Sequence, residues 1–484
     1  MLKAALTRLA KGSLIYGIGS MLQRFMGLLL LPFFTQVLTP QDYGVVALVS
    51  LIGVAMSGLF TLGTGNSMGV LYFRELDIAK RPTIIWSNVL LLTVNCLFWY
   101  SIVFVSAPML SILVFQSDRY ADLIRLALLG SVFSTIADPW LAYLRMEEKA
   151  RHYVVITLIS SLFTVGLSIW FVLDQGIGVK GVVLAGTLAQ GIMLGVNWLM
   201  IGRNLPVHID SGLFRPLVRI GFPSIFGLFA FLLIDYADRQ MIERMVSLDA
   251  LGIYSVGYSF GMVMSIAMGA FATAWPPFFM SYLNKPDEAR IVFSRVLSYY
   301  LIGFGALVVL FFFAAKPITL LMTAPAFHEA HLIVGLVAAG LMLKGCYLIV
   351  LPGIYFAEKL YKQSAIEWVA AIANIVLNLW LIPLFGIVGA ALATFVSYLT
   401  LPIFAWLVAR QYLKVDYEWQ RLVKISMAIF LASALIYFLS VNFDVGLVLT
   451  IVINAVVLIS FIIVSYRLLI TVFERKQFWS RLRS

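Results

Sequence analysis

The chain has 484 residues, 62% of them hydrophobic and 12% charged. Soluble domains run near ~45–50% apolar and ~25% charged, so a water-soluble globular fold is excluded, and a mean hydropathy of +0.99 agrees. The formal charge of +11, from 34 Lys and Arg against 23 Asp and Glu, fits loops that face anionic lipid rather than a nucleic-acid surface.

In chain order, apolar runs long enough to cross a bilayer predict about fourteen spans, at 12–37, 44–65, 83–105, 121–143, 153–173, 181–201, 220–238, 250–277, 296–315, 331–355, 365–384, 387–409, 424–441 and 446–466. The runs are continuous rather than alternating, which excludes a barrel and leaves helices that satisfy their own backbone in hydrocarbon. With the N-terminus inside, 26 of the 34 Lys and Arg fall in inside segments, 5 in outside segments and 3 within spans. That bias predicts cytoplasmic termini at both ends. Lys3, Arg8 and Lys11 precede a run of span length, which reads as a signal anchor. Cys96 and Cys346 both lie in apolar runs, so no disulfide framework is expected.

The two halves of the chain resemble each other. Gly178-x-x-Gly181-x-x-Leu184-Ala185 returns as Gly386-x-x-Gly389-x-x-Leu392-Ala393, and Leu38–Gly44 is matched by Val246–Gly252, both at a shift of 208; Glu148-Lys149 returns as Glu358-Lys359 at a shift of 210. Six spans per copy give copies of the same orientation, a parallel repeat with its substrate site between lobes near the midplane. The expected organisation is an N-lobe at 1–205, a C-lobe at 206–410 and an appended helix pair with a basic cytoplasmic tail at 411–484. The fold class is therefore an all-α membrane protein of rocker type.

Ionisable groups deep in spans are costly and point to function. Arg24 lies ~18 Å into the first span at ~1.5 Å per residue, and Lys344 is comparably deep in the tenth. Each is a substrate-binding candidate, the alternative being a structural pair with a buried carboxylate. Asp235, Asp238 and Arg239 cluster near the outer end of the seventh span; Asp235 and Arg239, four apart, share a helix face. Arg239 joins the substrate-binding set, while Asp235 and Asp238 are candidates for ion coupling, since buried carboxylates take up protons readily, the alternative for the cluster being helix-end charge at the interface. Asp138, before Pro139 in the fourth span, is a third ion-coupling candidate, and that proline is expected to kink its helix. Arg125 is expected to snorkel to its interface and Glu367 to be interfacial. Glycines in the first two spans, Pro276-Pro277 in the eighth and Pro352-Gly353 in the tenth serve close packing or bending.

No G-x-x-x-x-G-K-[ST] loop is present, and His328-x-x-His331 has no third ligand beside it, so neither cofactor nor metal is expected. No loop is large enough for the catalytic groups of a sugar polymerase or ligase, which disfavours an enzyme.

Three stretches carry a family resemblance: Leu31–Gly44; Asp238-Arg239 followed by Leu251–Tyr258; and Asn374-Ile-Val-Leu-Asn378 with Ile382-Pro383 and Gly386–Thr394. Together they resemble bacterial polysaccharide-transport flippases, the Wzx-like branch of the MOP exporter superfamily. The resemblance implies a two-lobed bundle in the bacterial inner membrane. It would carry an undecaprenyl-diphosphate-linked oligosaccharide across by alternating access, for O-antigen or exopolysaccharide assembly. It further implies a cationic cavity using Arg24 and the Asp238–Arg239 pair, and membrane lipids, a polysaccharide polymerase and chain-length proteins as partners; with no ATPase loop, net flow would come from product removal outside or from proton or sodium coupling. Export of drugs or of a peptidoglycan precursor is the alternative within the superfamily; cationic midplane charges weigh against a cationic drug.

Overall fold

The computed structural model describes residues 26–147, 149–283, 285–357, 359–442 and 447–464. Among them the chain is helical and forms two compact units, divided after Gly252.

The first unit opens with α1 (Leu31–Val37) and α2 (Pro40–Thr61). The start of α2 is fixed by a capping box: Thr39 Oγ1 accepts from Asp42 N–H at 3.2 Å and Asp42 Oδ2 accepts from Thr39 N–H at 2.9 Å, with Pro40 preset for the first turn. The helix stops at Leu62 and Gly63, both left-handed at φ 49° and 67°. It resumes as α3 (Thr64–Arg74). Then come α4 (Arg81–Phe115), α5 (Ala121–Met146), α6 (Ala150–Ile169) with a π-helical turn at Trp170–Asp174, and α7 (Val179–Met200). Pro139 lies inside α5, which runs on through it. A connecting helix, α8 (Phe214–Gly221), lays Leu217 against Met68, Ile84 and Ala142. The last helix wholly in this unit, α9 (Pro223–Met245), packs on α2 and α8. Compactness thus groups α9 with the first unit, whereas the boundary near 205 rests on sequence self-similarity, a different property.

The bend in the eighth helix lies between α10 (Leu248–Gly261) and α11 (Met264–Met280), by 48°, and not at Pro276-Pro277, which lie within α11. The second unit continues with α12 (Pro286–Met322), α13 (His331–Val350), α14 (Pro352–Phe356), α15 (Leu360–Ala409), α16 (Trp419–Asn442) and α17 (Leu447–Val464). Its centre is α13, apolar all round and packed by α11, α12 and α15. The window around it is 83% buried, against 22–44% for the other spans. The 50 residues of α15 are two helices meeting at Gly386, whose φ 56° and ψ −132° are open only to glycine. The closing pair α16 and α17 packs on α12, where Lys316 Nζ donates to Ser440 O at 3.2 Å and Asn454 Nδ2 to Phe313 O at 3.4 Å.

Among the described residues nine helical segments are long and apolar enough to cross a membrane, and the bent pair α10–α11 makes ten. Large apolar side chains such as Val105, Met109 and Trp380 lie 79%, 74% and 65% exposed. Such exposure on this scale belongs in lipid. The chain is a multi-pass membrane protein.

The duplicated glycine turns take equivalent conformations, while Glu148 and Glu358 of the third repeat lie outside the described residues. Gly178, at φ 64° and ψ −139°, is the counterpart of Gly386. A Cβ on Gly181 would stand 3.0 Å from Phe171 Cβ, and one on Gly389 would overlap the Leu381 carbonyl; in each copy the second glycine lets a helix start press on the end of the one before. The other repeated stretch meets its own copy. A Cβ on Gly44 would overlap the Leu248 carbonyl and one on Gly252 the Pro40 carbonyl. Those pairs exchange under the shift of 208 read from the sequence.

Candidate functional site

Arg24 lies outside the described residues. In the first unit the other sequence candidates sit mainly on α9, whose C-terminal half carries Asp235, Asp238, Arg239, Glu243 and Arg244. Asp235 is on the helix, but its side chain is outside the described set. Asp238 is fully buried. Arg239, half-buried, holds its guanidinium 4.6 Å from the Tyr236 ring centre, a cation–π contact.

The next turn has a structural task. Gln240 Nε2 donates to Val114 O at 3.1 Å and to Glu243 Oε2 at 3.0 Å; Arg244 donates to Leu113 O and lies 3.6 Å from Glu243. Leu113 and Val114 belong to the last turn of α4, whose carbonyls lack helical partners and favour a cation beside them. The charged end of α9 therefore caps α4.

Asp138 is apart from this group, on α5, exposed while Ala137, Pro139 and Trp140 are buried. Arg125 does not simply reach for the interface: it pairs with Asp122 at 2.8 Å, donates to Phe104 O at 3.0 Å and stacks 4.8 Å from the Phe104 ring.

In the second unit Lys344 projects from α13, half-buried, with Nζ 5.5 Å from the ring centre of buried Tyr398 on α15. Along α15 lie polar groups that its apolar runs conceal. Asn378 Nδ2 donates to Asn374 Oδ1 at 2.9 Å, and Asn374 Nδ2 reaches Thr394 Oγ1 at 3.5 Å, all three buried. One helical turn along α13 from Lys344, Tyr347 donates its hydroxyl to Glu367 Oε1 at 3.0 Å, and Gln363 Nε2 donates to the same oxygen at 3.0 Å. Glu367 is 7% exposed, and these two donors compensate its burial. The signal for these polar groups was Asn374 and Asn378 at i,i+4 inside a span, a spacing that puts both on one face.

The structure thus keeps Asp238 and Arg239 side by side on α9, places Asp138 on another helix of the same unit, and puts Lys344 in the other unit. Among the described residues no group of three or more His, Cys, Asp or Glu is placed to hold a metal. Chemically, Lys344 over the Tyr398 ring offers a cation that can receive an anionic group.

A family model described as "Polysaccharide biosynthesis protein" matches residues 33–332. A protein of the Lsg locus of Haemophilus influenzae is 24% identical over 304 residues, 61% of this chain and 71% of that protein. Among solved structures, the lipid II flippase MurJ in an inward closed conformation superposes with a TM-score of 0.71 at 16% identity, covering 95% of this chain and 100% of MurJ. An inward-facing multidrug resistance MATE family transporter of the MOP superfamily gives 0.66 at 12% identity, over 82% of this chain and 97% of that one. The resemblance read in the sequence holds for both family and fold.

Proposed function

We propose, on the premise that this chain belongs to the polysaccharide biosynthesis protein family, that it is a flippase, turning a lipid-linked oligosaccharide from one leaflet to the other. The cargo we assign is an undecaprenyl-diphosphate-linked repeat unit. It crosses the bacterial inner membrane for O-antigen or exopolysaccharide assembly, through a protein whose termini are both cytoplasmic. No covalent bond changes, so the role is transport rather than catalysis. A polymerase and chain-length proteins would take the product onward.

The observation that carries this reading is Lys344 beside Tyr398 on the most buried helix of its unit. On insertion scales a cation at a span centre costs ~2.5–3.5 kcal/mol, which an anionic cargo can offset. A diphosphate supplies that charge. Arg24 and Arg239 are assigned to it as forked, bidentate donors and Lys344 as a point charge. Asp235, Asp238 and Asp138 are assigned to proton or sodium coupling during alternating access.

The test is a leaflet-resolved assay of labelled lipid-linked oligosaccharide in proteoliposomes. Arg24→Ala and Lys344→Met are each expected to slow transport about tenfold or more while the protein still inserts. Full rates in both variants would refute the cation assignment, and a rate indifferent to an imposed pH gradient would refute proton coupling. The likeness to the lipid II flippase favours a second reading, a peptidoglycan precursor as cargo; membership of a polysaccharide biosynthesis family supports the first.

A further inference from the structure

We propose that the second unit carries a binding site for the headgroup of an anionic phospholipid, centred on Arg410 and Trp406 where α15 ends. The proposal needs only a membrane-spanning chain and is independent of the cargo assigned above.

A shallow cleft lies at that end, walled by Phe293, Pro352, Gly353, Trp406, Arg410 and Tyr417 among others. Its enclosed space, about 10 Å³, holds no more than a water, so a headgroup would rest across its mouth and not inside it. Gly353 closes one wall, since a Cβ there would stand 2.7 Å from Ala409 O.

The charges around the mouth favour an anion. Arg410 is exposed, stacks 4.8 Å from the Trp406 ring and forms no ion pair among the described residues. The segment after it is extended: Leu413 and Tyr417 are buried and Val415 half-buried, whereas Lys414 and Asp416 are exposed. That alternation turns the Asp416 carboxylate away from the pocket. The other nearby acid, Glu418, is engaged by Ser298 Oγ at 2.6 Å and Arg421 at 3.1 Å. Two further cations of this unit stack on aromatic rings, Lys362 over Tyr412 at 5.0 Å and Arg421 over Tyr299 at 5.5 Å.

The aromatic residues set the depth. Trp419, 50% exposed, meets Trp406 edge-on at 5.0 Å, and Tyr417 lies 5.9 Å from Trp419. Trp and Tyr gathered where two spans end and begin mark the headgroup level, where basic pockets between helices receive anionic lipid heads. A phosphate there meets the guanidinium and the glycerol lies along the indole, while the acyl chains stay in the bilayer.

The full-length protein, purified in detergent, would be titrated with phosphatidylglycerol and with phosphatidylcholine, and bound lipid counted by native mass spectrometry. Wild type is expected to prefer phosphatidylglycerol. Arg410→Gln should reduce that preference about fivefold, Arg410→Lys should keep most of it, and Arg203→Gln, an exposed cation of the other unit, should change nothing. An unchanged preference in Arg410→Gln overturns the site, as does an equal loss in Arg203→Gln, which would indicate diffuse surface charge. Inorganic phosphate that displaces the lipid at equal concentration would assign the site to free phosphate. Loss of lipid-linked oligosaccharide binding in Arg410→Gln, with phosphatidylglycerol retained, would assign it to the transport cargo.

Discussion

Asn95, on α4, gives both hydrogens of its amide to the broken end of α2, at 2.8 Å to Leu59 O and 2.9 Å to Phe60 O. Those carbonyls lose their helical partners because the chain turns left-handed at Leu62, a conformation that costs a leucine roughly 1–2 kcal/mol. In hydrocarbon no water can replace the amide. Asn95→Ala is therefore expected to lower stability by ~1–3 kcal/mol, read as an earlier unfolding midpoint in detergent. An unchanged midpoint would mean that packing alone holds the break. The sequence showed Asn95 only as a polar residue in a span, since the carbonyls it serves are about thirty-five positions away and come into reach only after folding. Lys344 was legible because depth follows from counting residues. Glu367 was not, because both its donors had to be placed by the packing of α13 on α15 and by the turn of α15 that carries Gln363.

At the scale of elements, hydropathy reports the thickness of the oily layer, while a helix continues until something caps it. Hence the run at 296–315 lies inside the 37 residues of α12, and the run at 83–105 inside an α4 that ends only where Gln116 turns left-handed. The structural task of Gln240 and Arg244 escaped the sequence for a similar reason: they serve α4 carbonyls that sequence separation hides. The paired turns at Gly178 and Gly386, by contrast, were visible as a repeated motif. Their φ values of 64° and 56°, with strongly negative ψ, are closed to side chains. Gly178→Ala and Gly386→Ala should each destabilise by ~1–3 kcal/mol, measured as before. Equivalent turns should respond equally; a loss at one and none at the other would show that their backbone match carries no shared energetic role.

For the molecule as a whole, the duplication read at a shift of 208 has a physical counterpart in Gly44 against Leu248 and Gly252 against Pro40. Close backbone approach at glycine is how spans pack without a hydrophobic drive between them. Either glycine replaced by alanine should cost ~1–3 kcal/mol through overpacking. Because both substitutions force the same two helix starts apart, Gly44→Ala combined with Gly252→Ala should cost less than the two separate losses together. Strict additivity, measured as unfolding midpoints of the three variants in detergent, would show that the two contacts yield independently.

That mutual contact also constrains how such a sequence can change over time. After a gene doubles, its copies normally drift apart freely, yet here a bulkier residue in one copy is felt by the backbone of the other. Mutations at these positions should thus be accepted in compensating pairs, leaving a trace of ancestral symmetry in a chain whose halves have otherwise diverged.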